Sequence, residues 1–160
     1  MKDAGLTVSL DTNDDPDDGW EGGLDEALPY VDIFMPNERE AQKAARFDDL
    51  ETAVQKLAVI VPLVVVKLGS EGAMAQRGTE SFRSPSRRVQ PVESVDAVGG
   101  GDSFDAGFLH EYLHGGAYRL ISRLAISLAR PLSTTRPGGI EAFRDAAYRQ
   151  KFFEEHRSEK

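Results

Sequence analysis

Gly99-Gly100-Gly101-Asp102-Ser103 is the segment whose residue types and spacing could do chemistry. Three consecutive glycines let the backbone approach a ligand closely and turn several N–H groups toward one point, and an apolar-periodic run after them predicts a helix whose dipole adds to anion binding there. The segment lacks the Gly-Lys-Ser/Thr of a Walker loop, and Phe104 stands where a dinucleotide fingerprint needs its third glycine. A carboxylate beside an anion hole repels the anion, so Asp102 has another use. It can accept a proton from a hydroxyl that attacks a phosphoryl group, while the glycine N–H groups neutralise charge on the transferred oxygens. That is kinase chemistry. A plain helix cap on a flexible loop accounts for the same four residues.

Two other patterns have partial metal-site spacing. His110-Glu111-Tyr112-Leu113-His114 fits the H-E-x-x-H zinc pattern, but its extended form needs Gly and His where Ala117 and Leu120 stand, which leaves Glu141 as a speculative third ligand. We read it as polar helix surface. Asp11-Thr12-Asn13-Asp14-Asp15-Pro16 begins like a calcium loop, yet Pro16 holds the required glycine position and Gly22 the bidentate glutamate position. A solvated acidic turn over Asp14 to Gly19 fits better, with Trp20 as packing or a loop anchor.

Elements must position the glycine segment. Thr7 to Leu10 reads as a short strand and Val31 to Met35 as a second. Glu38 to Ala45 has the composition of a helix with acids in its first turn, and a further helix is expected from Thr52 to Val59. Pro62 to Leu68 is nearly all apolar and β-branched, the pattern of a central strand buried on both faces. Ala73 to Gln76, Glu80 to Arg83 and Arg87 to Val95 are short extended pieces, read as an antiparallel addition. The helix opened by the glycines should run through Phe104, Phe108, Tyr112 and Leu113 and stop at Gly115. Helices are expected near Arg119 to Ala129 and Ile140 to Phe153, with Ser133 to Gly139 as a loop and residues 154–160 as a disordered tail. This order is that of an open α/β sandwich without internal repeats.

Composition sets bounds. The 160 residues are 40% hydrophobic and 29% charged, enough for a core, and 19 Lys plus Arg against 27 Asp plus Glu leave a net charge of −8. That balance argues against binding to nucleic acid or an anionic membrane, and the basic cluster Arg83, Arg87 and Arg88 reads as a solvated hairpin. With no cysteine, disulfides and thiolate catalysis are excluded. No apolar run reaches the ~20 residues of a membrane span, so the expected location is cytoplasmic.

The string from Val95 to Phe108 resembles the C-terminal signature of the ribokinase-like (PfkB-type) carbohydrate kinases. Pro36-Asn37-Glu38-Arg39-Glu40-Ala41 resembles the family's Asn-x-x-Glu element, Lys67 to Gly72 its nucleotide-side turn and Ser133 to Gly139 its late loop, all in family order. The resemblance implies a three-layer α/β/α sandwich with a mostly parallel sheet, and transfer of phosphate from ATP to a hydroxyl of a sugar or nucleoside. Asp102 would be the base and Gly99, Gly100 and Gly101 the anion hole, Gly100 replacing the family's usual Ala. Asn37 and Glu40 would place Mg²⁺ and phosphate through water. Lys67, Gly69, Ser70, Gly72 and Ser127 would face the nucleotide, although Arg130-Pro131 departs from the small residues usual near the adenine. Asp96 matches a position that serves a monovalent cation, implying K⁺, and Asp11 and Asn13 lie where relatives approach the acceptor or phosphates. The match covers only the second half of a full-length relative, with no counterpart of its N-terminal strands and sugar-binding element. We therefore expect a fold truncated on its N-terminal side, an open sheet edge, and self-association or a complementing N-terminal chain. A non-catalytic remnant that binds nucleotide weakly is the alternative to an active kinase.

Overall fold

The computed structural model describes residues 4–13, 15–85, 99–113, 144–148, 150 and 151. The chain divides into two compact units, residues 1–83 and 84–160.

The first unit is built on a sheet of order β1-β2-β3-β4-β5: β1 (Ser9–Leu10), β2 (Ile33–Phe34), β3 (Leu63–Lys67), β4 (Ala73–Arg77) and β5 (Glu80–Ser84, whose last residue opens the second unit). β1, β2 and β3 run parallel in the register Ser9↔Ile33↔Leu63, and β4 is antiparallel to β3. The parallel core and the antiparallel addition thus follow the expected plan, and the β-branched run of β3 is the middle strand. β1 is shorter than expected, but the Val8 N–H donates to the Asp32 carboxylate at 2.9 Å, extending its tie to β2 through a side chain.

Two helices cover one face. α2 (Glu38–Ala45) and α3 (Leu50–Ile60) bring Ala41, Ala44, Val54 and Leu57 onto Phe34, Val64, Val66 and Met74. The alternate residues Ile33, Leu63, Val65, Ala73 and Ala75 are equally buried, so β3 is dry on both faces, as its lack of polar alternation predicts. The Asp49 carboxylate caps α3, accepting from the Thr52 N–H at 2.8 Å and its hydroxyl at 2.6 Å.

One element has no signal in the sequence pattern. α1 (Leu24–Ala27) runs into a 3₁₀ turn over Leu28–Tyr30 that seats Leu28 in the core. The loop before it turns at Asp15, whose carboxylate accepts the N–H groups of Asp17 (3.1 Å) and Trp20 (2.7 Å), so the solvated acidic turn and the anchoring Trp20 are one structure.

In the second unit α4 (Gly100–Leu113) begins inside the glycine run. Phe104 and Phe108 are buried and stack with Tyr112 in steps of 6.3 Å, the i, i+4 ladder expected of its apolar periodicity. Leu113, expected on that face, is 75% exposed, because position 113 is turned about 100° from Tyr112 around the helix. Residues 146–148, 150 and 151 are helical, with the Asp145 carboxylate accepting the Tyr148 N–H at 2.9 Å. Arg87 to Val95, Arg119 to Ala129, Ser133 to Gly139, the tail 154–160 and the site residues Asp96 and Ser127 lie outside the described residues. Among the described residues no helix is long and apolar enough to cross a membrane.

Candidate functional site

Parallel strands that end together leave their polar loop residues at one edge, and in open α/β sheets that edge is where ligands bind. Here β2 and β3 stay paired one step beyond the ladder: the Lys67 N–H donates to the Pro36 carbonyl at 2.9 Å, and Asn37 bridges Lys67. The two chains then part, β2 into α2 and β3 into the 3₁₀ turn Gly69–Glu71. Between them lies an open cleft of about 560 Å³. Asn37, Glu38, Arg39 and Gln42 line it from α2, and Lys67, Leu68, Gly69 and Ser70 from the other side. Four residues predicted for nucleotide, phosphate or metal, Asn37, Lys67, Gly69 and Ser70, are brought together.

Gly72 closes the turn rather than lining the cleft. Its φ of 104° and ψ of −126° are open only to glycine, and its carbonyl accepts the Leu68 N–H at 2.9 Å, which folds the turn back into β4.

Beneath the cleft the polar side chains hold one another. Asn37 and Glu40 form a capping box: the Asn37 side chain accepts the Glu40 N–H at 2.9 Å, and Oε2 of Glu40 accepts the Asn37 N–H at 2.9 Å. The same oxygen accepts the Thr12 hydroxyl at 3.1 Å, tying the β1 loop to α2. Glu40 is only 5% exposed, and burial pushes its carboxyl above the usual range against the lowering effect of the Asn37 and Thr12 bonds. Alongside, Lys67 donates to Asp11 at 2.7 Å with its side chain 15% exposed. Asp11 therefore meets the cleft through Lys67, whereas Asn13, two residues on, is exposed and does not line it. Thr12 was not singled out from the sequence; its bond spans 28 positions, and no local pattern announces it.

These contacts bear on the metal. Glu40 is buried and engaged by three donors, the Thr12 hydroxyl and the Asn37 N–H on Oε2 and the Asn37 side-chain amide on Oε1, and among the described residues no group of three His, Asp or Glu side chains could hold an ion directly. The donor set fits a Mg²⁺ carried by phosphate and water, which magnesium favours because it dehydrates reluctantly. It does not fit an ion ligated by Glu40. Of the zinc pattern, His110 is exposed on α4, and His114 lies outside the described residues.

In the second unit the glycine run forms the cap and first turn of α4. Gly99 has φ of 79°, in the left-handed region, and its carbonyl accepts the Ser103 N–H at 2.9 Å. Gly100 and Gly101 follow as the first helical residues, Gly100 buried and Gly101 exposed, and the Asp102 side chain is exposed in the same turn. N–H groups of a first helical turn have no partners within the helix, so this turn offers donors to an anion beside an exposed carboxylate.

Residues 4–145 match the pfkB family of carbohydrate kinases. The cytidine kinase of Thermococcus kodakarensis is 38% identical over 109 residues, 67% of this chain and 38% of that protein. The structure of Arabidopsis thaliana ribokinase complexed with ribose and ATP matches with a TM-score of 0.77 at 29% identity, covering 94% of this chain and 48% of that one. An E. coli structure in complex with ATP and Mg²⁺ gives a TM-score of 0.81 at 27% identity, covering 97% of this chain and 51% of that one. The chain thus spans about half or less of the length of these relatives, and its fold is ribokinase-like, with the expected mixed α/β plan. It belongs to the pfkB family of carbohydrate kinases.

Proposed function

We propose that the chain supplies the nucleotide-binding and phosphoryl-transfer part of an ATP-dependent kinase whose acceptor is a hydroxyl of a sugar or nucleoside. The convergence of Asn37, Lys67, Gly69 and Ser70 on one cleft at the carboxyl ends of the strands carries this reading. Lys67 and the N–H groups of the Gly69 turn bind phosphate, and Asn37, held by Glu40, orients it or its hydration shell. Asp102 takes the proton as the acceptor oxygen attacks the terminal phosphorus and the bond to the departing nucleoside diphosphate breaks. The N–H groups at Gly99 to Gly101 stabilise charge on the transferred group. Magnesium, bound with the nucleotide through water at Asn37, would neutralise phosphate charge. A monovalent cation near Asp96, K⁺ by resemblance, would order the glycine segment.

The test is transfer from ATP to a panel of sugars and nucleosides. Transfer lost in Asp102→Asn with ATP binding kept supports the kinase. The alternative is a non-catalytic part that binds nucleotide weakly or assembles with a second chain. ATP binding without transfer to any acceptor supports that one.

A further inference from the structure

The cleft carries two cations, Lys67 and Arg39. Lys67 reaches Asp11 from one wall; Arg39, in the first turn of α2, stands on the other and donates to Asp18 at 3.0 Å. Glu38 is the one acid among the lining residues, and each cation is paired with an acid, Asp11 or Asp18, that does not itself line the cleft.

We propose that Arg39 is a second phosphate contact of this cleft, gripping the polyphosphate of the nucleotide opposite Lys67, and that Asp18 is the counter-charge that keeps its guanidinium at the rim. The inference rests on the nucleotide reading of the cleft.

The geometry separates this role from a simple clasp between loop and helix. Asp18 holds two cations, Arg39 on Oδ1 and Lys43 on Oδ2 at 2.8 Å, one helical turn apart. The Lys43 hydrogen bond, first among the causes, holds the Asp18 carboxyl below its usual range. Asp18 therefore keeps a partner when Arg39 turns to a ligand. The Arg39–Asp18 pair is half exposed on both sides, and such pairs contribute little by themselves, so sharing the guanidinium costs little. A guanidinium presents five donors in a planar fork, which suits two oxygens of a phosphate better than an ammonium does. Lys43 does not line the cleft, which assigns the ligand to Arg39 and the anchoring of Asp18 to Lys43.

The experiment is calorimetric titration of the full chain with Mg·ATP and, separately, adenosine, at two salt concentrations, with melting curves for every variant. Arg39→Gln should weaken Mg·ATP roughly tenfold, flatten its salt dependence and leave adenosine unchanged. Asp18→Asn should hold or tighten Mg·ATP, and Arg39→Lys should fall between Gln and the native residue, a comparison that survives if Arg39→Gln does not fold. Mg·ATP affinity unchanged in Arg39→Gln overturns the proposal while leaving the nucleotide reading intact. Equal losses in Arg39→Gln and Asp18→Asn, for ATP and adenosine alike and with matched drops in melting temperature, overturn it in favour of a clasp. An unmodified chain that binds no ATP at millimolar concentration overturns the nucleotide reading itself.

Discussion

The cleft beyond β3 and the first turn of α4 both offer donors to an anion, and they are built in opposite ways. At the cleft, side chains do the arranging: Thr12 and Asn37 both bond to the buried Glu40, and Lys67 is held by Asp11. At α4 the arranging is left to backbone, with three glycines and an exposed carboxylate. A side-chain network fixes geometry through several weak bonds, so losing one member loosens it by degrees. A glycine turn has no such reserve; its geometry is the φ and ψ of a few residues, and one added Cβ can remove it. Substitutions should therefore act steeply at α4 and gradually at the cleft.

Asp102→Asn carries the largest expected effect. Removing a general base costs about 10²–10⁴-fold in transfer, while ATP affinity and melting temperature stay near those of the native chain. Transfer within threefold of native would show that the proton leaves by another route. Next is Gly99→Val, since φ of 79° forces a β-branched residue into the left-handed region at a cost of about 1–2 kcal/mol. Transfer should fall with it, and Gly99→Asn, a residue that tolerates this conformation, should recover most of the stability in urea unfolding. Equal stability of the two variants would mean that Gly99 is not the constraint.

The same contrast explains what could be read in advance. The apolar run of β3 announced a central strand because burial on both faces leaves no polar alternation. The glycines announced the start of α4, and its 3.6-residue periodicity gave Phe104 and Phe108. α1 gave no such signal: Leu24 to Ala27 is one turn, too short for a period to show, and Pro29 cuts it off at once. At the cleft the residues were legible but their relation was not. The spacing Asn37-x-x-Glu40 suits a ligand element and a capping box alike, and the structure forms the capping box. Thr12 and Arg39 were silent because their partners lie 28 and 21 positions away, and only the assembled sheet brings those loops to α2.

A smaller effect sharpens the picture of the cleft. Burial raises the Glu40 carboxyl, so the folded chain holds that proton more tightly than the unfolded one. The associated stability is fully present below the ordinary carboxyl range and is lost as pH rises through the folded value. Glu40→Gln removes this titration. Urea unfolding of the variant should lack that decline, with its stability relative to the native chain rising from pH 4 to pH 7. Parallel curves for the two proteins would place the proton elsewhere.

The smallest effect belongs to the other cap, and its sign is opposite. Asp49 caps α3 in the open, where the Thr52 hydroxyl and N–H favour the charged form and depress its carboxyl. Its contribution is present above the ordinary carboxyl range and lost as pH falls through the folded value. Asn also caps a helix but does not titrate, so Asp49→Asn should be near neutral at pH 7 and reduce the acid-induced fall in melting temperature below pH 4. Two caps of adjacent helices thus respond to acid in opposite directions, because Glu40 is itself buried and Asp49 accepts its bonds in the open. If Asp49→Asn and Glu40→Gln changed the pH profile in the same direction, burial would not be what distinguishes them.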